Sequence, residues 1–188
     1  MPTIDTIQVN DTVIKQDGSN FSLWKNDTKY MCENIDTMES LKQLEAQIDI
    51  AKGHVICTGL GFLLREEKLL EKEEVECVVV IEKNKDVIDM QRKLNPTIMD
   101  KLFIINDDAN LYEGKCDTLL LDHFETETYE EIYKMVEQCC KNIQHKQMLY
   151  WDIFAAYRKY ADYQELRKKF VTLPSFTPSQ FYKYVEMI

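Results

Sequence analysis

The stretch from Gly53 to Glu82 constrains this chain more than any other. It reads GHVICTGLGFLLREEKLLEKEEVECVVVIE: an apolar run from His54 to Thr58, a turn at Gly59, Leu60 and Gly61, a helical segment, and a β-branched run ending on an acid. Strand, glycine turn, helix and strand in that order, with a carboxylate roughly 20 residues past the glycines, form the layout by which a βαβ unit holds a nucleoside. Glycines accept backbone angles that other residues resist. Lacking side chains, they also let main-chain N–H groups close on a ligand at a helix start. Glu82, at the carboxyl end of Val78 to Ile81, would sit beside the turn and accept hydrogen bonds from both ribose hydroxyls.

The rest of the chain alternates in the same manner. Helical spacing runs over Thr37 to Ala51 through Met38, Leu41, Leu44 and Ile48, with Thr37 or Asp36 able to cap it. Leu63 to Lys72, Lys85 to Lys93 and Glu127 to Ile143 also read as helices. Val75 to Ile81, Leu102 to Asn106, Thr118 to Leu121 and Gln147 to Trp151 read as strands, which with His54 to Thr58 predicts a largely parallel, doubly wound α/β sheet. Ahead of it, Asp17-Gly18 between Thr12 to Gln16 and Asn20 to Trp24 predicts a β-hairpin, and Asp27 to Asp36 reads as a polar loop. This divides the chain into an N-terminal hairpin and lid segment, 1–36, and a nucleoside-binding domain, 37–188. After a helix around Ala155 to Lys169, the runs Phe170 to Leu173 and Phe181 to Val185 read as an antiparallel hairpin on the sheet edge. The aromatic tail suits a dimerising edge or an intramolecular hairpin equally.

Composition narrows the partners. The formal net charge of −10 repels polyanions, and phosphate neutralisation by Lys and Arg is the main source of nucleic-acid affinity, so a nucleic-acid partner is not expected. No apolar run approaches the roughly 20 residues that span a bilayer, and no basic flank precedes an apolar core at the start of the chain. A cytoplasmic protein without membrane contact is the expectation. The six cysteines include no C-x-x-C, so neither a metal site nor a disulfide framework is indicated.

Ligands of open α/β sheets bind outside the carboxyl ends of the strands. Those ends carry Gly59 to Phe62, Glu82 and Lys83, Asn106 to Ala109, Asp122 to Glu125, and Asp152. The G-L-G turn, Glu82 in VVVIEKNKDVI, the Asp108-Ala109 pair in LFIINDDA and the acidic end of CDTLLLDHFE together resemble class I S-adenosylmethionine-dependent methyltransferases. The likeness covers about Gly53 to Glu125, and its flavour is that of the spermidine-synthase-like branch. It implies a Rossmann-like fold with S-adenosylmethionine as cofactor. It also implies that Gly59, Leu60 and Gly61 contact the amino-acid end, that Glu82 with Lys83 meets the ribose, and that Asp108 with Ala109 meets the adenine.

The resemblance further implies methyl transfer, with Asp122 at the position where spermidine-synthase-like enzymes keep a proton-accepting Asp. His123, Glu125 and Tyr30 are candidates for contacting the substrate. Carboxylates at this mouth favour a cationic amine or guanidine acceptor through charge-assisted hydrogen bonds. Two positions depart from the pattern: Cys57 stands where an acid is common, and Leu63 where a third glycine is common. Aminopropyl transfer to a polyamine is the enzymatic alternative. A binding or assembly protein that keeps the fold without turnover is the other.

Overall fold

Short β-branched and leucine-rich runs separated by amphipathic segments become, in a computed structural model, one parallel sheet flanked by helices. The structure describes residues 6–9, 12–17, 20–25, 28–34, 38–124 and 128–185. In chain order come β1 (Thr6–Val9), β2 (Thr12–Asp17), β3 (Asn20–Lys25), β4 (Thr28–Asn34) and α1 (Met38–Ile50). Then follow β5 (Gly53–Thr58), α2 (Leu64–Leu70), β6 (Val75–Ile81), α3 (Lys85–Leu94), α4 (Pro96–Met99) and β7 (Phe103–Ile105). The remainder is β8 (Gly114–Lys115), β9 (Thr118–Leu121), α5 (Tyr129–Asn142), β10 (Ile143–Gln144), β11 (Gln147–Tyr150), α6 (Ile153–Ala156), α7 (Tyr160–Lys169) and α8 (Pro178–Tyr184).

The main sheet has the order β11-β9-β5-β6-β7, and each of its ladders is parallel. Val55 to Thr58, Val78, Val80, Ile81 and Thr118 to Leu121 are buried, as expected of central strands covered on both faces. The chain leaves β5 to build β6 and β7 on one side, then crosses to β9 and β11 on the other. The order therefore reverses between β5 and β9, and their carboxyl ends frame the topological switch point where such sheets bind ligands.

Both ends of the chain correct the sequence reading. The expected hairpin exists as β2 paired with β3, closing at Asp17↔Asn20, but it is the middle of a four-stranded antiparallel sheet. Residues assigned to a polar loop form β4, held by its ladder to β3, a tertiary effect that the short polar run does not announce. The antiparallel C-terminal edge is absent among the described residues. Phe181 to Tyr184 belong to α8, which opens with Pro178 at its first turn and a capping box between Thr177 and Gln180. Phe181 and Tyr184, three apart, are buried against Phe154, Tyr163 and Phe176. The edge of β11 receives one backbone bond instead, from Met148 N–H to the Thr172 carbonyl at 3.0 Å. Lys183 and Tyr184 tie α8 to α1, through Glu45 and Asp49 for the ammonium at 2.7 and 2.8 Å, and through Asp49 for the hydroxyl at 2.6 Å.

Candidate functional site

Three successive strand ends are laced together at the mouth of the sheet. Gly59 and Gly61 take left-handed angles, φ 78° and 47°, as the sequence requires of a glycine turn. Gly59 N–H bonds to the Ile81 carbonyl at 2.9 Å, and Glu82 N–H to that of Ile105 at 3.0 Å. Leu60 N–H donates to Glu82 Oε2 at 2.9 Å, while Glu82 Oε1 accepts from Asn84 N–H at 2.6 Å. The acid of the second core strand and the turn after the first are thus in direct contact. Gly61 is held from the far side, its carbonyl accepting from Gln91 Nε2 at 2.7 Å.

The switch point itself is crossed by a hydrogen-bonded chain. Asp122 N–H donates to Thr58 Oγ1 at 3.0 Å, and that hydroxyl lies 2.7 Å from His123 Nδ1. His123 Nε2 is 3.3 Å from Asn110 Oδ1, and Asn110 donates through its side-chain amide to Asp108 Oδ1 at 3.0 Å. One consistent order of protons follows: the Thr58 hydroxyl donates to Nδ1, and Nε2–H donates to Asn110. His123 is half-buried, its ring tilted against that of Phe124 with centroids 5.1 Å apart. Its polar contacts tie the end of β5 to the loops after β7 and β9.

Behind the turn lies a buried ion pair that the sequence reading missed. Arg65 is 7% exposed and bonds to Glu66 Oε1 through Nε at 3.0 Å and Nη2 at 2.7 Å. Nη2 also reaches the Gly59 carbonyl at 2.9 Å, and Nη1 stands 3.8 Å from Asp122 Oδ2. Burial works against the charge of Arg65, but the carboxylates of Glu66 and Asp122 outweigh it, so the guanidinium stays protonated. Burial pushes the Cys57 thiol far up, so it supplies no charge in place of the missing acid. The fully buried Cys139, 3.8 Å from His123 Nε2, is likewise held as a thiol, its pKa pushed up by burial to about 12. The sequence signal for Arg65 was its place four residues before Leu69, on the buried face of α2.

Of the expected site residues, Gly59, Leu60, Gly61, Glu82 and Asp122 come together. Asp108 and Ala109 follow β7, with Asp108 closing an Asx turn onto Asn110 N–H at 2.8 Å and Ala109 buried. Lys83 is exposed, its carbonyl accepting from Asn106 Nδ2 at 3.0 Å. Glu125, Asp36 and the side chain of Tyr30 lie outside the described residues. Among the described residues no three His, Cys, Asp or Glu are placed to hold a metal ion, and no helix is long and apolar enough to cross a membrane.

This architecture, a Rossmann-like parallel sheet flanked by helices, is a fold shared with spermidine synthases. A probable spermidine synthase from Corynebacterium glutamicum superposes with a TM-score of 0.51 at 15% identity, covering 80% of this chain and 63% of that one. A spermidine synthase in complex with the transition-state analogue AdoDATO gives 0.50 at 12% identity, covering 77% of this chain and 54% of the other. The chain thus spans between about half and two thirds of the length of these proteins. No family model and no curated protein matches the sequence.

Proposed function

We propose that the chain binds S-adenosylmethionine across the switch point and transfers its methyl group to a small cationic or polar acceptor. The observation that carries this reading is the Leu60–Glu82 hydrogen bond, which sets a carboxylate against the glycine turn at the strand ends. Glu82 would share its oxygens between those amides and the ribose, since a carboxylate offers about four acceptor positions. Asp108 and Ala109 flank the adenine side, Lys83 the outer rim, and the turn at Gly59 to Gly61 the amino-acid end. An orphaned buried amide nitrogen beside that turn, Gln47 Nε2, fits a ligand with acceptor atoms there.

The bound sulfonium supplies an already electrophilic methyl group, which leaves the protein to align the acceptor and take its proton. Asp122, with its side chain 38% exposed at the switch point, is the group assigned to both tasks. An amine or guanidine acceptor would bond to it with charge assistance. Calorimetric titration with S-adenosylmethionine and S-adenosylhomocysteine tests the reading. Binding that is lost in Glu82→Ala supports it, and no heat from either ligand at millimolar concentration overturns it.

A second reading, a binding or assembly protein that keeps the fold without turnover, has its own support. Both Glu82 oxygens already accept backbone N–H groups, Leu60 and Leu63 are buried behind the turn, and Cys57 replaces an acid. A null calorimetric result would leave it in place.

A further inference from the structure

We infer that the free edge of β7 pairs, antiparallel and about a two-fold axis at Ile104, with the same strand of a second copy of this chain.

The sheet is unevenly covered at that edge. Helices fill the connections from β5 to β6, β6 to β7 and β9 to β11, but the connection from β7 to β9 holds only the two-residue β8. One face of β6 and β7 is left thinly covered as a result. Val75, Cys77, Val79 and Ile105 are half-buried and Phe103, beside Val79 in the ladder, is 63% exposed. Val78 and Val80, on the other face of β6, are fully buried, as strands of a parallel sheet ordinarily are on both sides. β7 is also the last strand of the sheet and pairs only with β6 among the described residues. The Ile105 carbonyl is taken by Glu82 N–H, so the alternation of the ladder turns the N–H and carbonyl of Ile104 to the open side. Exposed apolar surface and open main chain thus coincide at one corner.

Such an edge attracts another strand unless it is blocked, and a lone lysine ordinarily blocks it. Here the lysine has a mirror image. In KLFIIND, Lys101 and Asp107 are both exposed, stand three residues either side of Ile104, and have no ion-pair partner among the described residues. Antiparallel pairing centred on Ile104 satisfies each of these features together. The two Ile104 residues exchange both N–H···O bonds, Phe103 lies opposite the partner's Ile105 on the thinly covered face, and Lys101 comes opposite the partner's Asp107, twice by symmetry. A parallel neighbour in register would set lysine beside lysine and acid beside acid. The match is of the strand to itself, which a second copy supplies and an unrelated strand does not. Because the paired strands run oppositely, the two mouths open at opposite ends of one continuous sheet.

The short overlap makes a weak, concentration-dependent dimer, with Kd about 1–100 μM. Sedimentation velocity across that range at low salt tests it, on the wild-type chain, Lys101→Asp, Asp107→Lys and the double swap, with thermal unfolding as a check of fold. Each single swap sets like charges opposite each other in both symmetry-related pairs and should weaken the dimer about tenfold or more. The double swap should restore it, and so should mixing the two single variants in equal amounts, since each then supplies the charge the other lacks. Restoration on mixing separates the pairing from damage to β7 itself, which a second damaged chain would not repair. Where a charge variant unfolds, Phe103→Thr replaces it, at an exposed position and with good strand propensity, and should also weaken the dimer. A chain that stays monomeric throughout, a dimer indifferent to these substitutions, or one that neither the double swap nor mixing restores overturns the inference and leaves the edge to a strand of another protein or to solvent.

Discussion

Replacing Gly59 by alanine probes how closely the two halves of the sheet meet at the switch point. At φ 78° the residue is in left-handed territory, which costs an L side chain roughly 1–2 kcal/mol. A Cβ there would come under 3.0 Å from the Asp122 carbonyl oxygen and to 3.1 Å from its carbon, and would sit 3.4 Å from His123 Cα. All three are backbone atoms just past the β5–β9 ladder, and Asp122 N–H is tied to Thr58 Oγ1, so they cannot swing aside as a side chain would. Overpacking of this kind adds about 1–3 kcal/mol, giving a loss of about 3 kcal/mol for Gly59→Ala. In a chain of 188 residues, that lowers Tm by about 6–12 °C. Urea titration, with the midpoint shifted and the slope unchanged, is the assay. A loss of about 1 kcal/mol or less, the strain without the collision, would refute the close approach.

Two further predictions concern parts of the fold away from the mouth. His145 donates through Nδ1–H to the Ile143 carbonyl at 2.6 Å and accepts through Nε2 from the Thr172 hydroxyl at 2.9 Å, while burial lowers its pKa below 6.5. Because the folded value is the lower one, this stability is present above pH 6.5 and is lost as pH falls through the folded pKa. Urea midpoints should therefore drop below pH 6.5 and do so less in His145→Gln; an unchanged profile would dispose of the claim. Thr177→Ala removes one half of the α8 capping box and should cost about 1 kcal/mol in chemical denaturation, whereas Thr177→Ser should be nearly silent.

The central sheet was legible because its strands are continuous apolar runs, and the Gly59–Glu82 relation because both partners belong to one local unit. The N- and C-terminal segments were not. Thr28–Asn34 becomes a strand through pairing with β3, and the aromatic spacing of Phe181 and Tyr184 reads as strand or helix until the cap at Thr177 decides it. At the mouth, the position of Asp122 followed from its strand end. Those of Arg65, Gln47 and Thr58 did not, because a buried polar side chain on an otherwise ordinary helix or strand reveals itself only when tertiary packing supplies its partner.

The clasp between α8 and α1 reaches further than its surface position suggests. Lys183 and Tyr184 grip Glu45 and Asp49 on one side of a helix whose two glutamines, Gln43 and Gln47, lie inward against Asp152 and Arg65. A wall of the mouth is thereby buttressed from outside. Loosening the buttress shifts that wall as a rigid rod would move, carrying both glutamines together, so the shape of the opening is set partly by residues that never face it.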